Sequence, residues 1–207
     1  MTSGRFITLE GGEGVGKSTQ SPALAAALRA RGLDVIETRE PGGSPGAEAI
    51  RGLLLHDHRW PPEAEALLFA AARADHVART IRPALAHGTW VLCDRFVDSS
   101  IAYQGGAGGL GFDAIRALHA FGSGGFRPDR ILLLQLPNAE AHRRAGDRDQ
   151  GAPDLIGGRA ADYHRRVAEA DRRLAEEAPD RYCVIDASGT PEVVTARLLD
   201  ALADLLP

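Results

Sequence analysis

Gly11-Gly12-Glu13-Gly14-Val15-Gly16-Lys17-Ser18 is the stretch on which the fold of this 207-residue chain turns. It fits the phosphate-loop pattern GxxxxGK[ST]. In that pattern glycines let backbone N–H groups point inward at an anion, and the following helix adds its positive N-terminal end. Gly11 through Gly16, with Lys17, Ser18 and Thr19, are therefore predicted to cradle a nucleotide tail. Lys17 is predicted to reach the β- and γ-phosphates, and Ser18 to ligate magnesium. A dinucleotide-binding GxGxxG turn does not fit, because no such triplet of spacings occurs in 11–16. Lys17 is also the one lysine among 24 cationic side chains, the rest being arginine. A lysine is a compact charge on a flexible stem and an arginine is a rigid planar fork. A loop wrapped tightly round phosphates has room for the first and little for the second.

The elements to either side place the loop in a fold. Phe6-Ile7-Thr8-Leu9 reads as a short buried strand leading into it, and a helix over about 17–31 follows, with Leu24 and Leu28 at helical spacing and Gly32 as its stop. Further apolar runs at 35–38, 90–93, 131–136 and 182–186 read as strands. Helices are predicted over about 46–56, 62–87, 112–122, 159–178 and 191–205, with another after the fourth strand. Strands that are continuously apolar and alternate with helices predict a five-stranded parallel sheet with helices on both faces, the three-layer α/β architecture. We find no repeat, linker or second core, so residues 1–207 are predicted to form a single domain. The Gly/Asp/Arg segment at about 146–158 is too polar to pack and too long for a routine connection. It reads as a small mobile lid, or else as a surface loop.

Apolar residues make up 44% of the chain, enough for a sizeable core, and the net charge of −4 argues against a nucleic-acid partner. Clustered arginines inside an acidic chain suit a small phosphorylated ligand better. Cys93 and Cys183 lie far apart in apolar runs and show no metal spacing, so both are expected to be buried, reduced thiols. The first apolar run is too short for a signal peptide, and no stretch approaches the roughly 20 residues needed to span a membrane. A cytoplasmic protein with no membrane partner is expected.

Asp94-Arg95 closes the third strand. A carboxylate there can support magnesium and an adjacent arginine can fork onto a phosphate, although a structural ion pair would use the same residues. Arg39 ends the second strand in the same way. Both arginines fall where open parallel sheets bind ligands. Together with Lys17 they carry more positive charge than one nucleotide tail needs, which suggests a second phosphorylated substrate. Phe69 and Arg73 stand four apart on one helix face. Spacing alone favours a core phenylalanine and a surface arginine over a base pocket. Ser99, Ser100, Tyr103 and Gln104 offer hydroxyl and amide groups after Asp94-Arg95. His56 and His58 flank Asp57, which a polar loop explains better than a metal site. The arginines from 165 to 173, set among acidic neighbours, read as a solvated helix face.

Four stretches taken together resemble a known family. They are Leu9-Glu10-Gly11-x-Glu13-Gly14-x-Gly16-Lys17-Ser18-Thr19-Gln20, Thr38-Arg39-Glu40-Pro41-Gly42-Gly43, Phe69-x-Ala71-x-Arg73-x-x-His76, and Asp94-Arg95-Phe96-x-x-Ser99-Ser100-x-Ala102-Tyr103-Gln104-Gly105. In this order and at this spacing they closely resemble the bacterial thymidylate kinases, P-loop nucleoside monophosphate kinases, from about residue 5 to 190. The resemblance implies transfer of the ATP γ-phosphate to dTMP, giving dTDP and ADP for dTTP synthesis, with Mg2+ and in a homodimer. It implies that Glu13 contacts the sugar 3′-hydroxyl, that Arg39 and Arg95 grip the monophosphate, and that Phe69 stacks on thymine. It further implies that Arg73 bonds the O4 edge, which reverses the reading from spacing, and that Ser100 and Gln104 read the remaining base edge. Tyr103 would disfavour a ribose, and Asp94 would support magnesium and the transferring phosphate.

The lid segment departs from the family. Arg144 and Arg148 match lid positions, and Arg148 is the implied catalytic arginine. The family continues Asp-Arg-Ile/Phe-Glu where this chain has Asp154-Leu155-Ile156-Gly157, and Asp171 replaces an expected tyrosine. Three readings stand: Arg148 suffices, Arg159 swings in, or turnover is slow. The rival functions are a kinase for another monophosphate or a nucleoside, and a nucleotide-binding regulator with weakened catalysis.

Overall fold

The five apolar runs become the strands of one sheet: β1 (Phe6–Glu10), β2 (Val35–Arg39), β3 (Trp90–Asp94), β4 (Arg130–Gln135) and β5 (Tyr182–Asp186). A computed structural model describes residues 4–57, 59–149 and 155–207, with backbone alone at 56, 57, 138, 142, 145 and 147–149. The strand order is β2-β3-β1-β4-β5, and every pair is parallel. This is the predicted α/β architecture.

Alternation along each strand feeds two cores. Phe6, Val91, Ile131 and Leu133 face one side, beneath α3 (Pro62–His76), α5 (Val97–Ser100), α6 (Phe112–Ser123) and α8 (Ala161–Glu177). Ile7, Leu9, Leu92 and Leu132 face the other, against α1 (Lys17–Arg29) and α9 (Pro191–Asp200). The chain steps from β1 outward to β2 and then works back across the sheet. Right-handed crossovers therefore put α1 on one face and α3, α5, α6 and α8 on the other. The strands end at Glu10, Arg39, Asp94, Gln135 and Asp186, so five polar side chains line the carboxyl edge.

The helices differ from the sequence expectation at their ends. α2 (Pro45–Gly52) widens into a π-helical turn at Leu53–Asp57. The long helix expected over 62–87 is α3, a π-helical turn at Val77–Ile81, and then α4 (Arg82–Ala86). Pro83 explains the break, because it cannot donate a backbone bond and crowds the turn before it. α5 likewise opens into a π-helical stretch at Ile101–Ala107. That stretch packs closely on α8: a Cβ at Gly106 would lie 2.8 Å from the Cβ of Ala170. The last helix stops at Asp200, short of the predicted 205.

α7 (Asn138–Asp149) takes up the first part of the segment expected as a lid. Residues 150–154 of that segment lie outside the described residues. Ile156, from its far end, is buried in the core, so the segment is not uniformly too polar to pack. Among the described residues no helix is long and apolar enough to cross a membrane.

Candidate active site

The glycine loop leaves β1 and bends into α1. Gly11 has φ 126°, and a Cβ there would lie 2.4 Å from the carbonyl oxygen of Leu134 on β4. Only glycine lets the loop pass this close to the neighbouring strand. Lys17 is 7% exposed, and its Nζ donates to the carbonyls of Gly11 (2.8 Å) and Gly12 (2.7 Å). Burial, then the nearby Arg95, lowers its pKa to about 8. A phosphate entering the loop would favour the ammonium again. Ser18 and Thr19 are exposed at the mouth.

Arg95 follows β3 with φ 70°, a left-handed conformation unusual for a non-glycine residue. The turn folds its guanidinium back over the loop. Nη1 donates to Gly11 O (3.0 Å) and Ser99 Oγ (3.1 Å), and Nη2 donates to Glu13 Oε1 (2.5 Å). Its centre lies 5.0 Å from the Tyr103 ring centroid, within cation–π range. The Tyr103 hydroxyl donates to the same Glu13 oxygen at 3.4 Å, and burial pushes this phenol above its ordinary pKa, so it stays neutral. Arg39, half exposed on edge strand β2, is held by both carboxylate oxygens of Glu48 at 3.1 Å. Each of the two arginines thus carries a carboxylate partner that a stronger anion can replace.

Asp94 lies beside Arg39 in the β2–β3 register, and its Oδ1 is buried without a hydrogen-bond partner among the described residues. An orphaned carboxylate oxygen at the loop mouth, with the Ser18 hydroxyl exposed nearby, is the donor chemistry a hard divalent cation requires. These residues fit magnesium. No cluster of three or more His, Cys, Asp or Glu forms a metal site among the described residues. His58 and the side chain of His56 lie outside those residues.

Arg73 corrects the reading from spacing. It is 3% exposed and not a surface residue. Its Nε donates to Glu40 Oε2 (2.7 Å), while Nη2 donates to Ser100 Oγ (2.8 Å) and Phe96 O (3.2 Å). Glu40 also bonds His76 Nδ1 (3.0 Å), whose Nε2 meets Thr38 Oγ1 at 2.7 Å. Phe69 is half-buried one helical turn before Arg73. A cavity of about 550 Å³ is lined by Glu13, Lys17, Arg39, Phe69, Arg73, Asp94, Arg95, Ser100, Tyr103 and Gln104. Arg144 lines it as well, with its Nη2 on Glu140 (2.5 Å). The side chain of Arg148 lies outside the described residues. Arg159 is held by Glu65 and by the Tyr163 hydroxyl.

Sequence reading assigned no role to Glu40 or Glu65. Glu40 stood within a quoted motif and Glu65 had no signal at all. Asp171 is buried, and desolvation raises its pKa to about 7. Cys93 is buried, with its thiol pushed well up by desolvation, whereas Cys183 is only half-buried; both are free. The arginines of α8 do form a solvated face, with Arg165, Arg166 and Arg173 paired to Asp162, Glu169 and Glu177.

Residues 9–198 match a family model described as thymidylate kinase. A thymidylate kinase of Rhizorhabdus wittichii is 66% identical over 206 residues, covering 99% of both chains. One from Caulobacter vibrioides is 49% identical over 208 residues, covering 100% of this chain and 99% of the relative. One from Bradyrhizobium diazoefficiens is 48% identical over 208 residues, covering 99% and 91%.

Proposed function

This chain belongs to the thymidylate kinase family, and from that premise we propose how its residues divide the work of moving the ATP γ-phosphate to dTMP. The reaction is that of an ATP-dependent nucleoside monophosphate kinase, giving dTDP and ADP. The observation that carries the division of roles is the convergence of Lys17, Arg39 and Arg95 on one cavity, each delivered from the carboxyl edge of a different strand.

The loop backbone and Lys17 hold the β- and γ-phosphates of ATP. Arg39 and Arg95 take the dTMP phosphate, displacing Glu48 and Glu13 from their ion pairs. Glu13 then meets the sugar 3′-hydroxyl. Tyr103, packed under Arg95, closes the space a ribose 2′-hydroxyl would need. Phe69 stacks on thymine, Arg73 donates to its O4, and Ser100 and Gln104 complete the base edge. Ser18 and Asp94 would hold Mg2+, whose chemistry is to neutralise charge on the phosphoryl oxygens. The protein's part is to align acceptor and donor in line, to bring a lid arginine (Arg148) to the transferring group, and to exclude water as the 146–158 lid closes.

Homodimer formation belongs to the same proposal. Phe121 on α6 is 95% exposed and Leu67 on α3 is 56% exposed, and α3 packs against α6, so this side of the molecule offers apolar surface to a second copy. We also place the reaction in the cytoplasm, on the strength of its ATP substrate. A coupled ADP-release assay with dTMP tests the lid assignment. Arg148→Ala should cost about 10³-fold in turnover and Arg159→Ala far less; the reverse order would overturn it.

A further inference from the structure

Gln104 is 3% exposed, and its Oε1 is buried with no hydrogen-bond partner among the described residues. Its Nε2 donates to Glu65 Oε1 at 2.9 Å. The other Glu65 oxygen accepts from Arg159 Nη2. Arg159 Nη1 donates to the Tyr163 hydroxyl (2.6 Å), which in turn donates to the carbonyl of Tyr103 (2.8 Å), next to Gln104. The side chain that meets the substrate cavity is thus backed by a carboxylate, and the carboxylate by a guanidinium.

An amide side chain can present either its oxygen or its NH2 group, and the partner decides which. A carboxylate oxygen accepts, and Glu65 takes one hydrogen bond from Gln104 and another from Arg159. The NH2 of Gln104 must therefore turn to Glu65, and its oxygen is left as the free group. Arg73, a permanent donor, lines the same cavity. A donor beside an acceptor complements a pyrimidine that carries C4=O and N3–H. A 4-aminopyrimidine offers the opposite pattern, an amino donor at C4 and an acceptor at N3.

We propose that Glu65 is a positioning residue that sets the polarity of Gln104, and through it restricts the enzyme to monophosphates whose base presents N3–H. The proposal rests on the reading above that Gln104 faces the base edge. Arg159 serves as the counter-ion paired with that carboxylate. With a neutral amide at position 65, Gln104 can rotate its NH2 toward the base and accept a ring with an unprotonated N3.

The test compares kcat/KM for dTMP and 5-methyl-dCMP, which share the 5-methyl group, the sugar and the phosphate. For Glu65→Gln, the dTMP to 5-methyl-dCMP ratio should fall by about tenfold or more, because the buried site no longer enforces one hydrogen-bond pattern. A merely structural role would lower both substrates together. Glu65→Gln leaves Arg159 without its counter-ion, so the neutral double variant Glu65→Gln/Arg159→Gln provides a second measurement, and its ratio should fall equally. Gln104→Leu separates the role of Glu65 from that of Gln104 itself. If Gln104→Leu lowers the ratio but both position-65 variants keep it within about twofold of the parent, Glu65 is scaffolding and the inference fails alone. If Gln104→Leu leaves the ratio unchanged, the base-edge reading of Gln104 fails and takes the inference with it.

Discussion

Replacing Glu40 with glutamine should damage both stability and substrate binding. The Glu40 and Arg73 side chains are each 3% exposed and pair at 2.7 Å. Glu40→Gln keeps the shape and one acceptor oxygen but removes the charge. Arg73 would then be a buried cation with only neutral acceptors: the new amide, Phe96 O and Ser100 Oγ. Breaking one side of a buried pair costs about 3–5 kcal/mol, and the retained acceptor points to the lower end, near 3. A domain has only about 5–15 kcal/mol in hand, so the change is readily measured by urea unfolding at constant m-value. Arg73 would also lose its aim, and a hydrogen bond from a charged group is worth about 1.5–3 kcal/mol, so kcat/KM for dTMP should fall about ten- to hundredfold. A destabilisation below about 1 kcal/mol, with kcat/KM within about twofold, would refute the reasoning. The double variant Glu40→Leu/Arg73→Met removes both charges. It should be more stable than Glu40→Gln alone, yet inactive on dTMP.

Further outcomes are expected from other parts of the molecule. Burial raises the pKa of Glu10 from 4.5 to about 8, with Asp98 adding to the effect, and burial raises that of Asp171 from 3.8 to about 7. Across that window the folded chain retains protons that the unfolded chain has released. Stability should therefore fall as pH rises from about 4 to 8, by at most about 1.4 kcal/mol per pH unit for each group. Circular-dichroism melting should give a lower Tm at pH 8 than at pH 5, with a flatter profile for Glu10→Gln; an equal or higher wild-type Tm at pH 8 rules this out. Lys17→Arg should lower turnover by about 10²-fold or more while Arg165→Lys on the solvated face leaves it unchanged, and near-normal turnover in Lys17→Arg would defeat the steric argument for the lone lysine. The proposed homodimer is checked by light scattering at micromolar concentration: the parent chain should give the dimer mass and Phe121→Asp the monomer mass, and equal masses for the two would place any interface elsewhere.

Much of the fold was legible in the chain because its signals are local. A strand buried on both faces reads as an apolar run, and the phosphate loop is written in eight consecutive residues. The helix ends were less legible. The widened turns at 53–57, 77–81 and 101–107 depend on how each helix accommodates a proline or a neighbour, as Gly106 does against Ala170. Phe69 and Arg73 show the limit of periodicity. Their spacing placed them on one face but could not say whether that face met solvent or a cavity.

By itself, then, the sequence determined the glycine loop. Its glycine conformations, its lysine and the start of its helix all lie within one turn of chain, where covalent geometry leaves little choice. Only the tertiary structure decided which side chains support the lining of the neighbouring cavity. Glu40 reaches Arg73 across 33 residues, Gln104 reaches Glu65 across 39, and Arg159 reaches Glu65 across 94. No local pattern encodes such pairs. They exist because the parallel sheet brings the carboxyl edges of its strands to one crevice, where a buried charge must find its partner wherever in the chain that partner lies.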